Sequence, residues 1–110
     1  MQQTEYSIWD FHKVTTGSEL TIYYNDFLVM INLEITTRNF PSSQNWTQIG
    51  TMNVGSNYAP YNTQYLETGF KDLQFRVLYN GNIEYRNTGS GLTSPIIRTQ
   101  VTYPRKSALP

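Results

Sequence analysis

The residues with the widest chemical range come early in the chain. A single histidine, His12, lies in the stretch Trp9-Asp10-Phe11-His12. Asp10 and His12 are two apart, so on a strand they share a face and could together hydrogen-bond one polar ligand. The alternative for His12 is an ordinary strand histidine. Metal sites usually draw on three or four ligands, and one histidine with scattered carboxylates is poor material for one. There is no cysteine, which excludes thiolate metal centres, disulfides and a thiol nucleophile. No Gly-x-Ser-x-Gly elbow marks a serine nucleophile, and Gly89-Ser90-Gly91 has ordinary turn composition. A glycosidase needs two acids about 5–10 Å apart. Every acid here stands alone in sequence, and pairing through the fold is not legible from spacing. Neither a phosphate loop nor a dinucleotide glycine pattern is present. The reading is therefore a non-enzyme with no metal and no cofactor.

Aromatic residues near turns point to a different chemistry. Trp46 follows a Ser-Ser-Gln-Asn stretch, Tyr58, Tyr61 and Tyr65 surround Ala59-Pro60, and Tyr85, Arg86 and Asn87 form a strand end. A sugar ring offers an apolar C–H face fringed with hydroxyls. Binding it calls for a flat aromatic beside planar amide, carboxylate or guanidinium partners. The candidate saccharide-binding residues are Asp10, His12, Trp46, Tyr58, Tyr61, Arg86 and Asn87. The competing role for Trp46 and the tyrosines is to plug strand ends in the core.

Composition favours this over a nucleic-acid or cytosolic-enzyme reading. Eight Lys+Arg balance eight Asp+Glu, leaving no basic excess for a nucleic-acid partner. Charged residues make up 15% of the chain, against roughly 25% in an ordinary soluble domain. Nine tyrosines stand among the aromatics, and a charge-poor surface rich in Tyr, Asn and Thr suits an all-β extracellular or virion protein. The longest apolar run, Phe27-Leu28-Val29-Met30-Ile31, is a strand's length and no membrane span. Met1-Gln2-Gln3-Thr4-Glu5 has neither the basic start nor the apolar core of a signal peptide, so work outside the cell would call for another route, of which release of a virion by lysis is one. Asn45-Trp46-Thr47 fits the glycosylation pattern, a triplet that chance often produces.

The elements that must position these side chains are strands. Phe27, Val29, Ile31, Leu33 and Ile35 alternate with Leu28, Met30, Asn32, Glu34 and Thr36, a period of two. Leu20–Tyr24 precedes them across an Asn25-Asp26 turn. Leu73, Phe75, Val77 and Tyr79 alternate likewise, and a second run resumes at Ile83. Asn80-Gly81 between them is the signature of a two-residue type I′ hairpin. A last strand, Ile96 to Tyr103, is bracketed by Pro95 and Pro104. Weaker strands are placed at Tyr6–Val14, Thr47–Met52 and Thr63–Gly69, with loops at 15–18, 38–45, 53–62 and 87–93. Asn87-Thr88-Gly89-Ser90-Gly91 is the most flexible by composition. No helix, repeat or linker is evident. About eight strands in 110 residues predict one domain, residues 1–110, an all-β antiparallel sandwich or jelly roll. Leu33, Ile35, Ile49, Phe75, Val77, Ile97 and Val101 are its expected core.

The segment Trp46-Thr47-Gln48-Ile49-Gly50-Thr51-Met52, followed by Gly55, Tyr58 and Pro60, resembles a recurrent stretch in bacteriophage tail-tip proteins. Downstream, Asn80-Gly81-Asn82-Ile83-Glu84-Tyr85 is similar to the hairpin that follows it there. Upstream, Leu20–Tyr24 with Phe27–Ile35 resembles the first hairpin of the same domain. The family is the C-terminal head domain of receptor-binding proteins and tail fibres of phages that infect Gram-positive bacteria, the lactococcal ones especially. The likeness runs from Leu20 to Pro104. Asn53 stands where the pattern has proline, and Asn57 lengthens the turn before Tyr58. No heptad or Gly-x-y stalk precedes the head, as in an isolated head or a separately encoded module.

The resemblance implies a homotrimeric head on the virion, at the tail tip or baseplate, that binds host cell-wall polysaccharide for adsorption. It would reach other baseplate proteins through N-terminal segments missing here, with no nucleic-acid or membrane partner. Leu28, Met30 and Ile96, apolar on the second faces of their strands, are the expected subunit contacts, the alternative being strands buried on both sides within one subunit. Two alternatives stay open: a structural baseplate or capsid-decoration protein that binds no saccharide, and a cell-wall glycosidase.

Overall fold

The computed structural model describes residues 11–16, 19–52 and 58–106. Asp10 lies outside them. Eight strands form: β1 (His12–Thr16), β2 (Leu20–Tyr24), β3 (Leu28–Ile35), β4 (Ser43–Thr51), β5 (Gln64–Glu67), β6 (Leu73–Val77), β7 (Asn82–Asn87) and β8 (Ile97–Pro104). They make two four-stranded sheets, ordered β1-β2-β3-β8 and β4-β7-β6-β5, and every pairing is antiparallel. The all-β sandwich expected from the period-two pattern is what the chain forms. In the second sheet β5, β6 and β7 follow one another as hairpins while β4 returns beside β7, a Greek key.

Strand alternation decides which side chains fill the space between the sheets. Val29, Ile31, Leu33 and Ile35 of β3 are buried, and Leu73, Phe75 and Val77 of β6 face them from the other sheet. Of the expected core, Leu33, Ile35, Phe75, Val77 and Ile97 are buried, whereas Ile49 and Val101 are only partly so. Ile49 falls at a register shift of the edge strand β4, and Val101 lies midway along the edge strand β8, between the buried Ile97 and Tyr103. Loops supply core residues that alternation does not reveal. Phe40, in the 38–42 connection, is fully buried with its ring 5.4 Å from Phe75 and 5.1 Å from Tyr85. Met52, Ala59 and Pro60 close the sandwich in the same way.

Two turns differ in kind from their sequence signatures. The β6–β7 hairpin is not a type I′ turn, because only Gly81 has positive φ, 89°, and Asn80 does not. The amide of Gly81 donates to Leu78 O at 2.8 Å, Leu78 donates to Asn82 O at 2.9 Å, and Asn80 Oδ1 accepts from the Asn82 amide. Tyr79 and Asn80 occupy the centre of the turn and Gly81 takes the left-handed position, as in a three-residue loop with a glycine bulge. Tyr79 is thus a turn residue, 63% exposed, rather than the end of a strand. Between β2 and β3, Asn25 Oδ1 accepts from the amides of Phe27 and Leu28, both at 2.8 Å. That Asx turn leaves Phe27 outside the core.

The Asn87–Gly91 segment, flexible by composition, is tied down by hydrogen bonds. Asn87 is buried, and its amide nitrogen donates to Phe40 O at 3.0 Å and Ser90 O at 2.8 Å. Its Oδ1 accepts from the Gly89 amide, and Thr88 N donates to Asp72 O. Phe40 and Leu92 exchange backbone bonds alongside.

Candidate functional site

Trp46 is a strand residue, not a loop residue. Ser43 pairs with Asn87 and Thr47 with Tyr85, so β4 begins several positions earlier than its polar sequence suggests. It is an edge strand, and two register shifts break its alternation. No apolar period is needed to hold such a strand, which is why it reads as a loop. Tyr85 faces the core and Thr47 lies opposite it, so Trp46, one position earlier, belongs to the solvent face of the second sheet. Trp46 is half-buried and takes no place in the core.

That face carries an ordered set of polar and aromatic side chains. Register places Arg86 beside Gln74 and Gln74 beside Glu67; in the next row Glu84 lies beside Arg76 and Arg76 beside Tyr65. Arg76 and Glu84 form an ion pair, Nη2 to Oε1 at 2.6 Å, with a second bond from Nε at 2.7 Å. Arg86 Nη2 donates to Gln74 Oε1 at 2.8 Å, and its Nε is buried without an acceptor. The guanidinium carbons of Arg76 and Arg86 lie 4.2 and 4.8 Å from the Trp46 ring centroid.

Trp46 and Tyr65 come from opposite edges of this sheet, three strand spacings or about 14 Å apart. Their ring centroids are nevertheless 6.1 Å apart. Both side chains must therefore reach inward along the sheet surface instead of standing off it. The arginines rooted on the two central strands are the more buried partners, and Tyr65 is 61% exposed. The result is an aromatic platform resting on guanidinium groups, which stack on aromatic rings more readily than ammonium groups. Beside it runs a surface groove of about 570 Å³, which Tyr65, Glu67 and Gln74 share with Thr68, Phe70 and Lys71.

Other sequence candidates gather elsewhere, at the end of the sandwich where β2 turns into β3 and β6 into β7. His12 is exposed, with its ring 5.2 Å from that of Tyr24; Tyr24 in turn lies 4.8 Å from Tyr58. Arg105 stacks over both tyrosines and donates from Nη1 to Asn25 O at 2.9 Å. Burial, reinforced by the neighbouring Tyr24 hydroxyl, raises the Tyr58 hydroxyl above the ordinary tyrosine value. Tyr61 donates to Lys106 O at 3.2 Å, and Lys106 donates to Tyr79 O at 2.7 Å. Tyr103 reaches this end from inside, donating to Tyr58 O at 2.6 Å.

The seven candidates thus separate. Trp46 and Arg86 share the outer face of the second sheet; His12, Tyr58 and Tyr61 share one end. The two Asn87 amide hydrogens bond backbone carbonyls, so Asn87 supports the loop and offers no donor to a ligand. Arg76, Gln74, Glu84 and Tyr65 complete the platform and were not among the candidates. The signal that could have found them is their position in the alternation, each on the polar side of its strand in the successive hairpins β5–β6–β7; only the Greek-key return of β4 brings Trp46 to them.

A second groove, of about 670 Å³, crosses the outer face of the first sheet. Tyr23, Asn32, Gln100 and the Glu34–Arg98 ion pair line it, with Nε to Oε2 at 2.6 Å. It has hydroxyl and amide groups but no stacked aromatic floor. Among the described residues no group of three or more His, Asp or Glu could hold a metal ion. Compared with family models, with curated proteins and with solved structures, the chain matches none.

Proposed function

We propose that this chain is a saccharide-binding head without catalytic activity, of the kind a bacteriophage tail tip presents to the host cell wall. The observation that carries the reading is the Trp46–Tyr65 platform over Arg76 and Arg86. Two aromatic rings tilted by 52° to one another, either of which can take a sugar's apolar face, are ringed by Gln74, Glu84 and Glu67, which suit its fringe of hydroxyls. The adjoining groove gives a longer glycan room to continue past one ring. The segments that resemble the phage heads, Trp46–Met52 and Asn80–Tyr85, supply the edge strand and the hairpin next to it.

Each sugar hydrogen bond replaces one to water and nets about 0.5–1.5 kcal/mol, so a single site binds weakly. Three sites in a trimer, multiplied again at a tail tip, raise the avidity through effective concentration. The trimer belongs to the same proposal, with Leu28 and Met30, half-buried on the outer face of β3, as its contacts.

The test uses purified lactococcal cell-wall polysaccharide. The wild-type chain is expected to sediment with it and release no reducing sugar; Trp46→Ala is expected to lose binding and keep its fold. Failure of the wild-type chain to bind overturns the reading, and release of reducing ends turns it into a glycosidase. The structural alternative draws on the exposed aromatics Phe27, Tyr61 and Tyr79 at the tyrosine-rich end. It predicts that substitutions there, and not at Trp46, abolish attachment to the particle.

A further inference from the structure

The platform is electrically lopsided. Of the two guanidinium groups beneath Trp46, Arg76 is neutralised by Glu84 at 2.6 Å. Arg86 meets only the neutral amide of Gln74, and no carboxylate lies within ion-pair distance of it among the described residues. Glu84, two residues along β7 on the same face and about 7 Å away, is engaged by Arg76; Glu67, in the row of Arg86, is separated from it by Gln74 on the intervening strand, about 10 Å away at ordinary strand spacing. At that distance ionic screening removes most of the attraction between exposed charges. Arg86 is also held in place, stacked on Trp46 and bonded to Gln74, with Nε shielded from water. An anchored, uncompensated guanidinium beside an aromatic face is prepared for a planar oxyanion, which it binds through paired N–H donors.

The geometry points to an acidic saccharide as the ligand: a uronic-acid residue whose ring stacks on Trp46 and whose carboxylate pairs with Arg86. The opposite side of the platform fixes the orientation. Glu67 is an exposed carboxylate that can only accept, so it suits the sugar hydroxyls and repels a second acid placed there. The acid end of the sugar thus lies toward β4 and β7, its hydroxyl end toward β5. This assignment rests on the saccharide reading above and narrows it to one chemical class.

The test is a titration of the wild-type chain, followed by NMR at the Trp46 indole and the Arg86 Nε–H. The probes are a galacturonic acid trisaccharide, its methyl ester, a neutral galactose trisaccharide and a sulfated galactose trisaccharide. The free acid is expected to bind at least about tenfold more tightly than the ester or the neutral sugar, the scale of one charge-assisted bond. The preference should shrink as salt rises. Arg86→Gln should bring the acid down to the level of the ester while neutral binding persists. Equal binding of acid, ester and neutral sugar overturns the acidic preference and leaves the saccharide reading standing. No response to any probe overturns both. Equal binding of the sulfated sugar and the uronate overturns the carboxylate assignment in favour of a general anion subsite.

Discussion

Deleting the Trp46 indole removes two guanidinium contacts and the Tyr65 neighbour from a solvent face, and opens no cavity between the sheets. Cation–π pairs at exposed sites are worth about 0.5–1 kcal/mol each. Trp46→Ala is therefore expected to cost about 1–2 kcal/mol in denaturant unfolding, below the roughly 3–5 kcal/mol of a core tryptophan. Tyr103 presents the opposite case. Its ring is buried and its hydroxyl donates to Tyr58 O, and burial pushes that hydroxyl well above the ordinary tyrosine range. Above about pH 10 the unfolded chain releases this proton while the folded chain retains it. The unfolded state then binds fewer protons, and unfolding free energy falls with pH by up to about 1.4 kcal/mol per unit. The contribution is complete below pH 10 and is lost as pH climbs toward the folded value. Equilibrium unfolding from pH 8 to 11 should show that slope, and Tyr103→Phe should flatten it.

Among the elements, the β6–β7 hairpin is the one whose local chemistry sets the platform. It holds Arg76 opposite Glu84 and Gln74 opposite Arg86, so any slip of register would separate both pairs. Gly81 secures that register with φ of 89° and a backbone bond from Met52 N at 2.9 Å. A Cβ there would meet Met52 only at ordinary contact, 3.5 Å, so the penalty is one of backbone conformation. Gly81→Ala is expected to cost about 1–2 kcal/mol, the left-handed penalty of an L-residue, and to weaken the proposed saccharide binding by loosening the pairs above it. A Tm measurement with a parallel binding titration checks both. The hairpin was legible in Asn80-Gly81 because few dipeptides accept left-handed backbone. Its three-residue form was not, because the choice depends on how β7 meets β4 as well as on the turn itself.

At the scale of the molecule, the outer face of the first sheet bears on assembly. Tyr23 and Met30 are register neighbours there, with Leu28 next along β3, while Asn32 and Gln100 form a polar row beside them. An apolar strip of that width fits a narrow contact between copies and not a broad hydrophobic interface. For the proposed trimer, light scattering should give three times 12.8 kDa at micromolar concentration, and Met30→Glu should reduce it to the monomer mass. A monomer in the wild-type chain would remove the trimer from the proposal and leave the single site intact.

Period-two alternation was enough to establish the class of fold, the strands β2, β3, β6, β7 and β8, and most of the buried face. Those features depend on residues two apart in one strand, and burial of one face imposes the pattern directly. The candidate site was legible only in part. Trp46 and Arg86 are recognisable as residue types that hold sugars, but their meeting depends on β4 crossing to the far side of β7, and the polar edge strand that carries Trp46 has no apolar rhythm to announce it. The separation of His12, Tyr58 and Tyr61 from Trp46, and the use of Asn87 as a loop anchor, follow from the same cause. Contacts between strands distant in sequence are set by how two sheets close over a shared core, and the spacing of residues along the chain does not encode which solvent faces that closure places side by side.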